Sequence, residues 1–282
     1  MMNEYTFLFS VALIWVFFAM VQDIRKREVS NWLNFSFLGI VIVYRAFYAI
    51  MSEDVNFLIY GLIGIAIFSI LGELLYYSGG FGGADVRLLR AFGGLVPAGS
   101  YFELYFGSIV LIFVLMCAAA LYSLIYSVFL VFKHRKKYRN EFFSIFGKNK
   151  HLFLISILFG IICWFIFDFQ VWIASFIVIL LLPALYSYLK ALEACMVVLI
   201  LPGKLTEGDW IIDDIKIGGK VIKKSIHGLT EEEIKLLRKY KKSVRVKNGI
   251  PFVPVFFIVL LIMVFFYSTL LEKAFYLLVS FS

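Results

Sequence analysis

Apolar runs about as long as a membrane-spanning helix recur through this sequence, separated by short polar blocks. A helix crossing a bilayer needs roughly 20 apolar residues. Stretches near Tyr5–Gln22, Leu33–Met51, Phe57–Tyr77, Leu104–Phe132, Leu152–Phe167, Val171–Leu189 and Val253–Leu271 approach or exceed that length. A further stretch near Asp85–Ala98 is shorter and glycine-rich, and completes a count of eight. With 62% hydrophobic and only 16% charged residues, the chain lies outside the composition of soluble domains. The expected fold is an α-helical polytopic membrane protein. Tyr5–Gln22 is read as a retained first span, because Met1–Glu4 offers no basic region and no small-residue cleavage site follows.

The formal net charge of +8 does not point to nucleic acid. The basic residues sit in blocks between apolar runs, with no basic face on a soluble unit. Lys and Arg accumulate in cytoplasmic loops. If Asp85–Ala98 crosses as a half-buried or tilted segment, the blocks Arg25-Lys26-Arg27 and Lys133-His134-Arg135-Lys136-Lys137 share the cytoplasmic face, and Glu53-Asp54 faces outward. That topology places Asp23, the glycine stretch Gly79-Gly80-Phe81-Gly82-Gly83 and the 133–150 loop on one side.

Composition then divides the chain into residues 1–132 as a membrane core, 133–150 as a basic cytoplasmic loop and 151–200 as an additional helical pair. Residues 201–250 form a small cytoplasmic α+β subdomain, and 251–282 the last transmembrane helix. In the subdomain, Lys220-Val221-Ile222 is strand-like, turn signals stand at Gly208-Asp209 and Gly218-Gly219, and Thr230 with Glu233 predicts a capping box that opens an amphipathic helix.

Ionisable side chains at the membrane boundary are costly and are functional candidates by default. Asp23 ends the first span and Asp85 follows the glycines. Taken alone, Asp23 reads as a juxtamembrane acid beside Arg25 and Arg27, and Asp85 as a helix N-cap. Neither reading explains the glycines before Asp85. Such a loop permits close approach of another backbone and exposes groups for strand-like pairing with an extended peptide. Two adjacent carboxyl groups sharing a proton supply a base for water and an acid for a peptide carbonyl, with no metal needed. The helix ends favour Asp85 as the initial base and Asp23 as the initial acid.

Other constellations are poorer. His134, His151 and His227 lack ligand spacing, and Cys117, Cys163 and Cys195 lack the pairing of a zinc or disulfide framework. Asp168, Asp209, Asp213 and Asp214 bring no accompanying ligand set. Glu73, inside the third span, reads as structural, through a basic partner or a polar cavity.

The stretches Gln22-Asp23-Ile24-Arg25-Lys26-Arg27-Glu28-Val29 and Gly82-Gly83-Ala84-Asp85-Val86-Arg87-Leu88-Leu89 resemble the archaeal type IV prepilin and preflagellin peptidases, membrane aspartyl proteases of the GxGD type. Leu205–Trp210 and Gly249–Pro254 extend the likeness loosely. Ala84 stands where the motif has its second glycine.

The resemblance implies a six-span core, to which the 151–200 pair is additional. It implies Asp23 and Asp85 as the catalytic pair and Gly82, Gly83 and Ala84 as the active-site loop. The implied substrates are pilin or archaellin precursors with class III signal peptides, whose short basic leader is cut at the cytoplasmic membrane face. The cysteine pair and cofactor-binding unit of methylating bacterial relatives are not seen, so cleavage without N-methylation and without a cofactor is expected. Glu28, Glu207 or Asp209 could receive the leader's basic residues. The competing readings are a transporter or channel using intramembrane acids and a presenilin-like intramembrane protease.

Overall fold

The computed structural model describes residues 2–165, 168–218, 220–225 and 228–280. Phe167, Gly219 and His227, at which sequence features were read, lie outside the described residues, as do the last two positions of the 251–282 segment. The chain forms two compact units, Met1–Ser123 with Ile250–Ser282, and Leu124–Gly249.

The first unit contains α1 (Met2–Lys26), α2 (Asn31–Met51), α3 (Val55–Tyr77), α4 (Gly83–Gly93), most of α5 (Tyr101–Lys133) and α10 (Val253–Ser280). Side-chain caps close its connections. Gln22 Oε1 accepts from both the Ser30 N–H and the Ser30 hydroxyl, at 3.2 and 2.9 Å, which shapes the turn into α2. Asp54 caps α3 by accepting from the Asn56 N–H at 3.0 Å. On α2, Leu33, Phe37, Val41, Arg45 and Ala49 recur at four-residue spacing and are buried, whereas Val43, Phe47 and Ile50 face outward, as a lipid-solvated helix requires.

Helices α3 and α4 cross at backbone contact. A Cβ on Gly64 would stand 2.2 Å from the Gly93 carbonyl oxygen, and one on Gly93 2.2 Å from the Gly64 carbonyl oxygen. Small residues let membrane helices approach at backbone distance, where dispersion supplies what the hydrophobic effect cannot in lipid.

Among the described residues, five helices are long and apolar enough to cross a membrane: Tyr5–Lys26, Asn31–Met51, Val55–Tyr77, Tyr101–Lys133 and Ser175–Cys195. A sixth arises if Arg135–Lys148 and Lys150–Ile162, bent by 57°, count as one span. Hydropathy alone suggests eight; the described residues supply five or six candidates. Leu152–Phe167 qualifies only together with the helix before it, and the described apolar part of α10, Val253–Phe266, is short. The stretch read as Asp85–Ala98 is the 11-residue α4, about 16 Å long, followed by irregular backbone. Irregular backbone at membrane depth is tolerated only when protein covers it, and Leu95, Val96 and Ala98 are buried.

The second unit contains α6 (Arg135–Lys148), α7 (Lys150–Trp164), α8 (Phe169–Cys195), β1 (Val197–Ile200), β2 (Ile215–Ile217), β3 (Lys220–Ile222), α9 (Glu231–Lys239) and β4 (Val244–Lys247). The 133–150 segment, read as a loop, is therefore mostly helix. Antiparallel β1–β4, with Val198 opposite Val246, and antiparallel β2–β3 form two small sheets. A core of Leu205, Ile211, Leu229, Ile234, Leu237 and Val246 joins them to α9. The β-containing part begins at Val197, a few residues before the expected boundary, because β1 needs β4 as its partner. Thr230 caps α9 as its sequence predicts: Oγ1 accepts from the Glu233 N–H at 3.4 Å, and Glu233 Oε2 accepts from the Thr230 N–H at 2.9 Å.

Candidate active site

Asp23 sits one turn before the end of α1 and is 7% exposed, while Arg25, Lys26 and Arg27 beyond it are exposed. Its Oδ2 accepts the backbone N–H of Val253, the first residue of α10, at 3.0 Å. The first N–H groups of a helix have no partner within it. Asp23 serves α10 as a cap supplied by another helix.

Asp85 lies in the first turn of α4 and is half-buried. It is not the N-cap residue; Gly82 is, with extended backbone (φ −77°, ψ 159°). The Asp85 Oδ2 reaches back to accept the Gly82 N–H at 3.1 Å. Ala84 is within the helix, with no positive φ, so the position where the family motif has glycine does not need one. The residue that does adopt the left-handed conformation is Gly79 (φ 74°). Between them Phe81 is buried against α10, 4.8 Å ring to ring from Phe252 and 6.4 Å from Phe256.

The glycine loop and Asp23 thus converge on the start of α10. Two further contacts fix α4. Arg87 donates to the Asn31 side chain, and its guanidinium carbon lies 5.7 Å from the centre of the Phe35 ring on α2. Arg90 pairs with Glu73 on α3, the basic partner that the sequence suggested for Glu73. The helix-end argument for acid and base took no account of α10. Its N-terminus at Asp23 opposes the C-terminal end of α1, and that argument no longer assigns the two roles.

The remaining acids have local tasks. Asp209 Oδ2 accepts the Thr206 N–H at 2.9 Å, Asp213 pairs with Arg245 at 2.5 Å, and Asp214 Oδ1 accepts the Lys224 N–H at 2.8 Å. Asp168 occupies the N-cap position of α8 without a side-chain cap bond. Among the described residues, no group of three His, Cys, Asp or Glu is placed to hold a metal ion. Sequence reasoning passed over Arg45, the largest fully buried side chain among the described residues. The signal was present: it is the one charged residue inside the Leu33–Met51 run.

Comparison with known proteins gives the segment a lineage. The Type IV leader peptidase family matches residues 10–125, which contain Asp23, the glycine loop and Asp85. The chain is 39% identical over 80 residues to the preflagellin peptidase of Methanococcus maripaludis, covering 28% of this chain and 34% of that protein. It is 26% identical over 89 residues to that of Methanocaldococcus jannaschii (32% and 38%) and 27% identical over 92 residues to that of Methanococcus voltae (32% and 38%). The matched region spans little more than a third of each relative. No solved structure matches. Through residues 10–125, the segment that carries both aspartates, this chain is similar to the Type IV leader peptidase family and to the archaeal preflagellin peptidases.

Proposed function

We propose that the chain is a membrane aspartyl endopeptidase that removes the short basic leader from type IV pilin-like or archaellin precursors at the cytoplasmic membrane face, without N-methylation. One observation carries the reading: within the family-matched segment, Asp23 accepts the first N–H of α10, and the glycine loop that leads to Asp85 packs Phe81 against the same helix start.

In this reading one carboxylate of the Asp23–Asp85 pair takes a proton from water, and the hydroxyl so formed attacks the scissile carbonyl carbon. The other, protonated carboxyl gives its hydrogen bond to the carbonyl oxygen. Collapse of the tetrahedral intermediate breaks the C–N bond as a carboxyl proton passes to the leaving nitrogen. The loop Gly82, Gly83 and Ala84 borders the scissile segment, where exposed backbone can pair with an extended peptide.

The test is incubation of purified protein in detergent with a precursor that carries a basic leader ahead of an apolar helix, read as a mass shift. Asp23→Asn and Asp85→Asn should each lower the rate about 10²–10⁴-fold, the contribution of a positioned acid or base. Near-normal cleavage by either variant removes the two-aspartate reading. No cleavage by the wild type across several precursors removes the peptidase.

A further inference from the structure

Arg45 lies in the interior of the first unit, 1% exposed. Its Nε donates to the Gly94 carbonyl at 2.9 Å and its Nη2 to the Val96 carbonyl at 2.7 Å, while Nη1 donates to the Phe57 carbonyl at 2.8 Å and to the Tyr5 hydroxyl at 3.3 Å. The guanidinium carbon is 4.7 Å from the centre of the Phe57 ring and 5.1 Å from that of Tyr5. The Tyr5 hydroxyl also accepts the Ala98 N–H at 3.2 Å. Gly61 leaves room for the side chain, since a Cβ there would stand 2.6 Å from Arg45 Cδ.

The chemistry of α4 explains the arrangement. This short helix ends inside the protein: the carbonyls of Ala91, Phe92 and Gly93 accept the N–H groups of Gly94, Leu95 and Val96, whereas the buried carbonyls of Gly94 and Val96, in the irregular backbone that follows, are met by Arg45. A planar guanidinium offers five donors in a fixed fork, and its charge suits the C-terminal end of a helix dipole. Arg45, from α2, thus holds the backbone that leaves the C-terminal end of α4.

Tyr5 and Asp23 stand at opposite ends of α1, about 27 Å apart at 1.5 Å per residue. Gly94 and Asp85 stand at opposite ends of α4. Helix α1 packs on α10 and α2, and α4 on α3 and α2; among the described residues α1 and α4 share no extended interface. The two aspartate-bearing helices are tied to each other at their far ends, through Tyr5, Arg45 and the 94–98 backbone.

We propose that Arg45 and Tyr5 are positioning residues that set the separation of Asp23 and Asp85 from the opposite end of the unit. The inference rests on the two-aspartate reading for its effect on cleavage, but not for its effect on geometry.

The experiment has two arms. In a background with Cys117, Cys163 and Cys195 replaced by Ser, the thiols of Asp23→Cys/Asp85→Cys are linked by a short bifunctional thiol reagent, and Phe81→Cys/Phe252→Cys serves as a control pair held by α10. Adding Tyr5→Phe or Arg45→Gln should slow linkage of the first pair severalfold and leave the control unchanged. With the aspartates intact, Arg45→Gln should lower kcat about 10²-fold with KM within about twofold, as expected for catalytic groups displaced by about 1 Å. Arg45→Lys, which keeps the charge, should recover part of the loss. Tyr5→Phe removes a single oxygen and decides the matter if Arg45→Gln does not fold. Unchanged linkage of the 23/85 pair in folded Tyr5→Phe, or equal slowing of both pairs, overturns the proposal. Linkage is read without activity, so a failed two-aspartate reading shows separately, as retained cleavage in Asp23→Asn or Asp85→Asn.

Discussion

The carboxylate of Asp23 accepts the backbone N–H of Val253 at 3.0 Å, a buried bond that joins the end of α1 to the beginning of α10. Pro254 follows at once and Pro251 lies just before, so few N–H groups are available at this helix start, and Val253 supplies one of them. Asp23 therefore has two separable tasks, one in docking α10 and one in the proposed chemistry. Asn retains a carbonyl oxygen as acceptor, whereas Ala leaves the Val253 N–H buried and unpaired, at a cost of about 1–3 kcal/mol. Thermal unfolding in detergent should show Asp23→Ala clearly below wild type and Asp23→Asn close to it, while both variants cleave precursor about 10²–10⁴-fold more slowly. Equal stability of the two variants would show that the bond does not hold α10.

The pair Glu73–Arg90 joins α3 to α4 one helix turn past Asp85, with side chains 44% and 32% exposed. At such exposure an ion pair is partly screened, and measured couplings are about 0.2–1 kcal/mol. A double-mutant cycle of Glu73→Gln and Arg90→Gln should return a coupling in that range. Because the pair fixes only the side of α4, cleavage should fall far less than in Asp85→Asn. A loss in Glu73→Gln as deep as that of Asp85→Asn would place Glu73 in the chemistry instead.

Much of this was legible in sequence, because membrane helices announce themselves through length and cost. Asp23 and Asp85 stood out as acids at span boundaries, Glu73 as an acid needing a partner, and Thr230 with Glu233 as a capping box. The role of Val253 was hidden, since a backbone N–H leaves no trace in composition and its partner is 230 positions away. The length of α4 was hidden too. Hydropathy continues through Gly94, Leu95 and Val96 although the helix stops, and protein rather than lipid covers the segment. Ala84 seemed a departure in a loop; in space it is a helical residue where alanine is favoured.

In the second unit, the reciprocal bonds between Thr230 and Glu233 satisfy two donors at the start of α9. Helix α9 has only nine residues, and it contributes Ile234 and Leu237 to the small core. Replacing a capping threonine by alanine costs about 1 kcal/mol. Thr230→Ala should speed amide hydrogen exchange across α9 roughly fivefold, the factor equivalent to that energy in a local opening. Thr230→Ser should restore protection, and unchanged exchange in Thr230→Ala would mean that core packing alone holds the helix.

The α3–α4 crossing makes the sharpest claim about packing. A methyl group on Gly64 meets the Gly93 carbonyl oxygen at 2.2 Å. That neighbour is backbone, so no rotamer change relieves the clash, and α3 and α4 must separate. Overpacking of this kind costs about 1–3 kcal/mol, and here it also moves the helix that carries Asp85. Gly39 on α2 is the matched control, because a Cβ there meets nothing within 4 Å, and glycine to alanine in a helix interior is itself favourable by about 1 kcal/mol. Gly64→Ala and Gly93→Ala should lower both thermal stability and kcat, whereas Gly39→Ala should leave kcat unchanged and stability equal or higher. Full activity in Gly64→Ala would show that the two helices can part without disturbing Asp85, and that the backbone contact sets stability alone.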